Sequence, residues 1–193
     1  MKARRVSGFS LTELVVAMAV AMILMAVSLP SFLRAYHSYR LSNAATQVAD
    51  IVRLTRYEAI RLNKTVNCVM RPDATDPTMT YASMTDVNGN PLTGVASRMI
   101  VLGPSGNLAS GSVPGASSLP SKAALGATPA AVPPAGGTVQ FDARGALTSG
   151  NVTVFYLSAP GSPDSGLRAV LLMPAGSIQI WSGDSTGTWW QMR

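Results

Sequence analysis

At 193 residues the chain has room for one globular domain beyond any hydrophobic segment. Charged residues make up only 12% of it, 15 basic against 9 acidic for a net charge of +6, while Gly (17) and Pro (13) are plentiful, as in many exported envelope proteins. A single cysteine, Cys68, excludes an intrachain disulfide, and with one histidine, His37, no Cys/His metal cluster can be built.

The chain opens on a short basic stretch, Met1-Lys2-Ala3-Arg4-Arg5-Val6-Ser7-Gly8, and then becomes apolar from Phe9 to Leu33 with Glu13 as the one charge. Positive flanks stay cytoplasmic, so the remainder is expected to cross the membrane. An ordinary signal peptide is the competing reading, but its apolar core is about 7–15 residues long with a cleavage site after it. The run from Leu14 to Leu29 exceeds that, and with Phe32 and Leu33 it reaches the ~20 residues a span needs. A carboxylate at the head of a span costs roughly 2.5 kcal/mol or more, so it has a partner and a purpose.

Pro30 stands near the outer end of the run, where it would kink a helix rather than end it. Beyond it the pattern turns amphipathic. Leu41, Ala45, Val48, Val52, Thr55, Ala59 and Leu62 recur at steps of four and three, one face of a helix, with Asp50, Arg53, Tyr57, Arg61 and Lys64 opposite. The spacing predicts one helix from about Phe9 to Asn63.

Short strands come next. Alternation predicts them at Thr65–Met70, Thr78–Met84, Arg98–Leu102, Thr138–Phe141, Asn151–Leu157, Leu167–Met173 and Ser177–Trp181, with Thr188–Met192 last. Asn88-Gly89-Asn90-Pro91 is a turn and Pro174-Ala175-Gly176 a three-residue hairpin loop. A helix at one end and strands at the other is an α+β pattern. Residues 103–137 are built largely of Gly, Ala, Ser and Pro with one charge, Lys122, and read as a flexible surface loop.

The leader ending at Gly8, the apolar run from Phe9 and the position of Glu13 together resemble type IV prepilins and type II secretion pseudopilins. The resemblance implies a prepilin peptidase that cuts between Gly8 and Phe9 and methylates the new amino terminus at Phe9. Glu13 is the fifth residue after that cut, where the family carries its glutamate. Losing Lys2, Arg4 and Arg5 would leave 12 basic against 9 acidic residues. Arg56-Tyr57-Glu58-Ala59-Ile60-Arg61-Leu62-Asn63-Lys64-Thr65-Val66-Asn67-Cys68 is similar to the helix-to-strand junction of GspH/FimT-like minor pilins. Phe141-Asp142-Ala143-Arg144-Gly145 resembles a later strand and turn of that group. The fold implied is α+β, a long N-terminal helix packed on a small antiparallel β domain of two sheets. It divides into a leader (1–8), a transmembrane and assembly helix (9–33), an amphipathic helix continuing into the domain (34–64) and a β-rich periplasmic domain (65–193).

With the chain cut at Phe9, its free amine and the Glu13 carboxylate would both lie in low dielectric, where each needs a counter-charge. An incoming subunit could offer its amine to a neighbour's glutamate at one axial register only, so Glu13 is the expected assembly residue. Ala17 and Ala21 would let helices approach closely in a fibre core. A simple anchor whose glutamate reaches the interface is the alternative.

Seven basic residues between Arg34 and Arg71 face only Asp50 and Glu58. They form a solvated face, a contact to lipid or neighbouring pilins, or a phosphate-binding stripe. Some FimT-like pilins bind DNA through basic residues near the C-terminus, where this chain has Arg193. The candidate DNA contacts are therefore Arg53, Arg61, Lys64 and Arg193. Asp86, Asn88 and Asn90 match positions one, three and five of a calcium loop, but Pro91 and Ser97 stand where its glycine and glutamate belong, and an Asn-Gly turn explains them. No P-loop or catalytic constellation is recognisable, and neither catalytic residue, metal nor cofactor is expected. The function expected is a minor type IV pilin that initiates or caps a pilus. A GspH-type secretion pseudopilin and a DNA-binding pilin for transformation are the alternatives. The expected partners are other pilins in a helical fibre, the prepilin peptidase, an inner-membrane assembly platform and membrane lipid, with DNA left open.

Overall fold

A computed structural model describes residues 10–73, 75, 79–92, 100–102, 107–108, 113, 119, 129–133, 136–159 and 166–192. Its first element, α1 (Leu11–Leu62), is one helix that continues through Pro30. The chain forms two compact units that divide between Tyr36 and His37.

In the first unit every described residue is exposed. Its most apolar 18-residue window has a mean hydropathy of 2.4 and none of it is buried. A helix that is apolar around its whole circumference has no aqueous side, which is the condition of a membrane span or a fibre core.

In the second unit the remaining half of α1 is amphipathic. Leu41, Ala45, Val48, Val52, Thr55 and Ala59 are buried, and Asp50, Arg53, Tyr57, Arg61 and Lys64 are exposed. Ala44, Ala49, Ile51 and Glu58 broaden the buried face beyond the predicted stripe. The helix stops because Asn63 takes a left-handed conformation (φ +48°). The Lys64 amide then donates to the Ala59 carbonyl at 3.1 Å and the Asn63 amide to that of Ile60 at 3.2 Å, which satisfies two of the last turn's carbonyls within the chain.

Among the described residues ten strands come after the helix: β1 (Val66–Pro72), β2 (Thr80–Thr85), β3 (Ile100–Leu102), β4 (Asn107–Leu108), β5 (Ala130–Ala131), β6 (Gly137–Phe141), β7 (Thr153–Ser158), β8 (Leu167–Leu172), β9 (Ile178–Gly183) and β10 (Trp189–Gln191). One sheet has the order β3-β2-β1-β6 and the other β10-β9-β8-β7-β4. The expected α+β class with two sheets is what forms. One pairing departs from the antiparallel expectation, because β5 runs parallel to β7.

Both sheets share a core with the helix. Cys68, Met70, Val139 and Phe141 of the first sheet and Phe155, Leu157, Val170 and Leu172 of the second lie in one cluster with Leu41, Val48 and Val52. The second sheet is also covered on its other face. Val154, Tyr156, Ala169 and Leu171 alternate with the first set and pack with Leu119, Trp181 and Trp189. A strand buried on both faces reads as a continuous apolar run, as Val-Phe-Tyr-Leu of β7 does.

The segment 103–137, expected as a surface loop, departs from that expectation at its described residues. Asn107–Leu108 and Ala130–Ala131 both pair with β7, occupying its outer edge in two pieces. Leu108 and Leu119 are buried, at 5% and 1% exposure. Composition misleads here because a few apolar residues, Leu108, Val113, Leu119 and Val132, and two dipeptide strands dock on the domain without any sustained period to announce them.

Candidate functional site

Ser10 precedes the first helical residue, and its Oγ accepts the Glu13 amide at 3.2 Å. Ser10-Leu11-Thr12-Glu13 is thus a capping-box sequence, with Glu13 at the third helical position, where its charge also complements the positive end of the helix dipole. The S-x-x-E spacing was the signal for this cap, and the expectation built on Glu13 overlooked it. The carboxylate heads a helix whose residues from Leu14 to Tyr36 are all exposed in the single chain. Gly8 and Phe9, the expected cleavage and methylation positions, lie outside the described residues.

The candidate basic contacts separate. Arg53 donates to Asp50 Oδ1 at 2.8 Å on the exposed helix face. Arg61 closes on Glu58, its Nε and Nη2 each 2.8 Å from Oε2. Glu58 is buried, so this pair, within the helix itself, gives its carboxylate a counter-charge. Lys64 is exposed at the helix end, and Arg193 lies outside the described residues. Arg56, also in the stripe, points into the domain and donates to the Gly145 carbonyl at 2.9 Å.

That contact explains the Phe141–Gly145 motif. The turn Asp142–Ala146 and the hairpin loop Met173–Ser177 meet beneath Arg56, and the Leu147 amide donates to the Pro174 carbonyl at 2.9 Å. Gly145 and Gly176 both have positive φ, and a Cβ on Gly145 would stand 2.7 Å from Ile60 Cδ1 and 2.9 Å from Arg56 Nε. Only glycine fits both the conformation and the space.

Asp86 does not form a calcium loop. Its Oδ1 accepts the amides of Asn88 and Asn90, both at 2.8 Å, and its Oδ2 accepts Asn90 Nδ2 at 3.2 Å. The carboxylate is consumed by the turn. Among the described residues no group of three His, Cys, Asp or Glu side chains could hold a metal ion. Trp189 is half-buried against Tyr156, ring centroids 6.0 Å apart, while Trp190 is 50% exposed.

One buried charge was not singled out from the sequence. Arg168 of β8 is 5% exposed. Its Nε donates to Ser42 Oγ at 3.1 Å, Nη1 to the Leu167 carbonyl at 2.9 Å and Nη2 to Ser38 Oγ at 2.8 Å. Desolvation by burial lowers its pKa from the usual arginine value.

Residues 3–29 match the family described as the prokaryotic N-terminal methylation motif. Residues 44–176 match the family described as type II transport protein GspH. No curated protein sequence is a significant match to the chain. Two crystal structures of the type IV minor pilin FimU from Pseudomonas aeruginosa align with it at a TM-score of 0.43. One has 15% identity over 72% of this chain and 91% of FimU, the other 14% over 79% and 92%. Matched over more than half its length, the chain belongs to the type II transport protein GspH family of type IV pilin-like proteins and carries the N-terminal methylation motif.

Proposed function

We propose that the chain is a minor pilin, made as a prepilin, cut between Gly8 and Phe9, N-methylated at Phe9 and built into a type IV pilus near its tip or in its initiating complex. The observation that carries this reading is the wholly exposed apolar helix headed by Glu13. A surface of that size is unsatisfied in one copy in water, and lipid followed by the helices of other pilins would satisfy it. Within the fibre, Glu13 would pair with the amine of a neighbouring Phe9 and select the axial register.

Coexpression with a prepilin peptidase tests the processing step. Mass spectrometry of the mature chain should find Phe9 as its first residue, carrying one added methyl group. A chain that keeps residues 1–8 would refute this reading. The GspH family match supports a second reading, a pseudopilin of a type II secretion system. Deletion of the gene distinguishes the two, because loss of surface pili follows from the first and loss of secreted enzymes from the second. The ion pairs at Arg53 and Arg61 weigh against a nucleic-acid face, since each cation already has a carboxylate.

A further inference from the structure

Arg168 is the one arginine in the domain that is both buried and held by neutral groups alone among the described residues. Its partners are two serine hydroxyls and two backbone carbonyls, and among the described residues no carboxylate lies within ion-pair distance. Hydroxyls and carbonyls satisfy N–H directions but supply no counter-charge, and a buried guanidinium attracts one strongly. Beside it lies an open cavity of about 190 Å³, lined by Arg168 with Ser38, Ser182, Ser185 and Trp190. Gly166 borders it too, where a Cβ would stand 2.5 Å from the Gly183 carbonyl oxygen and in ordinary contact, 3.7 Å, with Arg168 Nη1. Asp184 also borders the cavity. Its Oδ1 accepts the amides of Thr186 (3.0 Å) and Thr188 (2.8 Å) and the Thr186 hydroxyl (2.7 Å), which directs it into its own turn.

We infer that this cavity is a receptor for a phosphate-class oxyanion, and that its source is the headgroup of an anionic phospholipid. Arg168 supplies the charge, Ser38, Ser182 and Ser185 the hydroxyl donors, and the exposed Trp190 an amphipathic edge suited to a headgroup layer. The source is argued from sequence position. Ser38 comes five residues after Leu33, and five residues reach at most ~18 Å even fully extended. Tyr36 and Tyr39, both substantially exposed, bracket Ser38 in the sequence, and no acidic residue occurs between Glu13 and Asp50. The lipid source rests on the membrane-anchor reading. The oxyanion site itself rests on Arg168 and its cavity.

The test uses the full chain in neutral detergent, titrated with phosphatidylglycerol, phosphatidylcholine or inorganic phosphate while thermal unfolding is followed. Phosphatidylglycerol should raise the midpoint and phosphatidylcholine should not. Arg168→Gln should abolish the effect, but it also removes the bonds to Ser38 and Ser42. Ser185→Glu therefore carries the decision, because the residue is exposed in a turn and its new carboxylate would enter the cavity and compete. It should raise the lipid-free midpoint, by giving Arg168 a counter-charge, and weaken half-saturation by phosphatidylglycerol at least tenfold. Equal responses to the two lipids, or wild-type binding by Ser185→Glu, would overturn the inference. A midpoint rise with inorganic phosphate matching that with phosphatidylglycerol would overturn the lipid source. Loss of fibre incorporation by Ser185→Glu with no lipid selectivity in the wild type would overturn it in favour of an acidic group on a neighbouring subunit. Membrane fractionation of both proteins tests the anchor separately, so failure of the anchor and failure of the site remain distinguishable.

Discussion

Three aspartates do the same work in this domain. Asp86, Asp142 and Asp184 each open a turn with the pattern Asp-x-x-Gly, and in each the Oδ1 accepts the amides two and four residues on. The glycine of each turn, Gly89, Gly145 or Gly187, takes a positive φ that ordinary residues avoid. These bonds hold all three carboxyls below the usual range, chiefly through the amide of Asn90 for Asp86, the amide of Ala146 for Asp142 and the Thr186 hydroxyl for Asp184. A depressed folded pKa gives stability that is present above the unfolded value, near 3.9, and lost as pH falls through the folded one. The contribution of these aspartates to unfolding free energy should therefore be flat above about pH 5 and fall below about pH 4. Asp142→Asn, which keeps an acceptor oxygen and loses the charge, should flatten that fall in denaturant titrations at stepped pH. An unchanged acid limb would refute the account. Cys68 titrates in the opposite sense. Burial, only partly offset by a hydrogen bond with Thr55, pushes its thiol up to about 12. The unfolded thiol ionises near 8.5, so stability should decline as pH rises above that value. A maleimide at pH 8 should leave the folded domain unlabelled and label the unfolded chain quantitatively, and rapid labelling of the folded protein would contradict this burial.

At the scale of elements, legibility tracked the strength of the periodic signal. The helix face was readable because steps of three and four persist from Leu41 to Ala59, and packing kept that order. Strands β7 to β9 were readable because β7 and most of β8 are apolar runs, β9 alternates at Ile178 and Ile180, and each is bounded by Gly, Pro or Asp. The segment 103–137 was not, since its small residues carry no period and its docking depends on distant partners in β7 and β8. Substitution of Leu119 measures what that segment contributes. A surface leucine changed to alanine shifts stability by no more than about 0.5 kcal/mol, whereas a buried one costs about 2–4 kcal/mol. Leu119→Ala should show the larger loss in denaturant melts, and a near-neutral result would mean that the segment does not cover the sheet. The clasp beneath Arg56 gives a sharper contrast. Gly176 has φ +82°, and a Cβ there would collide with the Gly145 carbonyl oxygen and lie 2.6 Å from Arg56 Nε. Gly176→Ala should cost on the order of 2 kcal/mol or more by strain and collision. Gly150→Ala, with φ +66° and nothing within 4 Å, supplies the control for strain without collision. Equal losses in the two variants would mean that the close approach contributes nothing.

For the whole molecule, the two units pose different problems. His37–Arg193 has a core that α1 shares with two sheets, while the helical segment before it buries nothing in one copy. The sequence made that division visible through hydropathy alone, but it left the meaning of Glu13 divided. The structure adds a local role, because a carboxylate three residues after Ser10 strengthens the start of a helix whatever the helix later joins. Helix capping and inter-subunit charge pairing predict different responses to one change. Glu13→Gln keeps a side chain able to complete the capping box and removes the charge, whereas Glu13→Ala removes both. If register depends on a carboxylate meeting the amine of a neighbouring Phe9, both variants should remain in the membrane and both should be depleted from sheared fibres at least tenfold. If the cap alone matters, Glu13→Gln should enter fibres as the wild type does and only Glu13→Ala should be lost. Fractionation of membranes and sheared fibres, with each variant expressed in place of the wild type, reads both quantities from the same cells. The charge reading stands on depletion of the glutamine variant. An uncharged amide can still complete the capping box and loses at most about 1 kcal/mol of helix-dipole complementarity, but it lacks the charge that a buried amine requires.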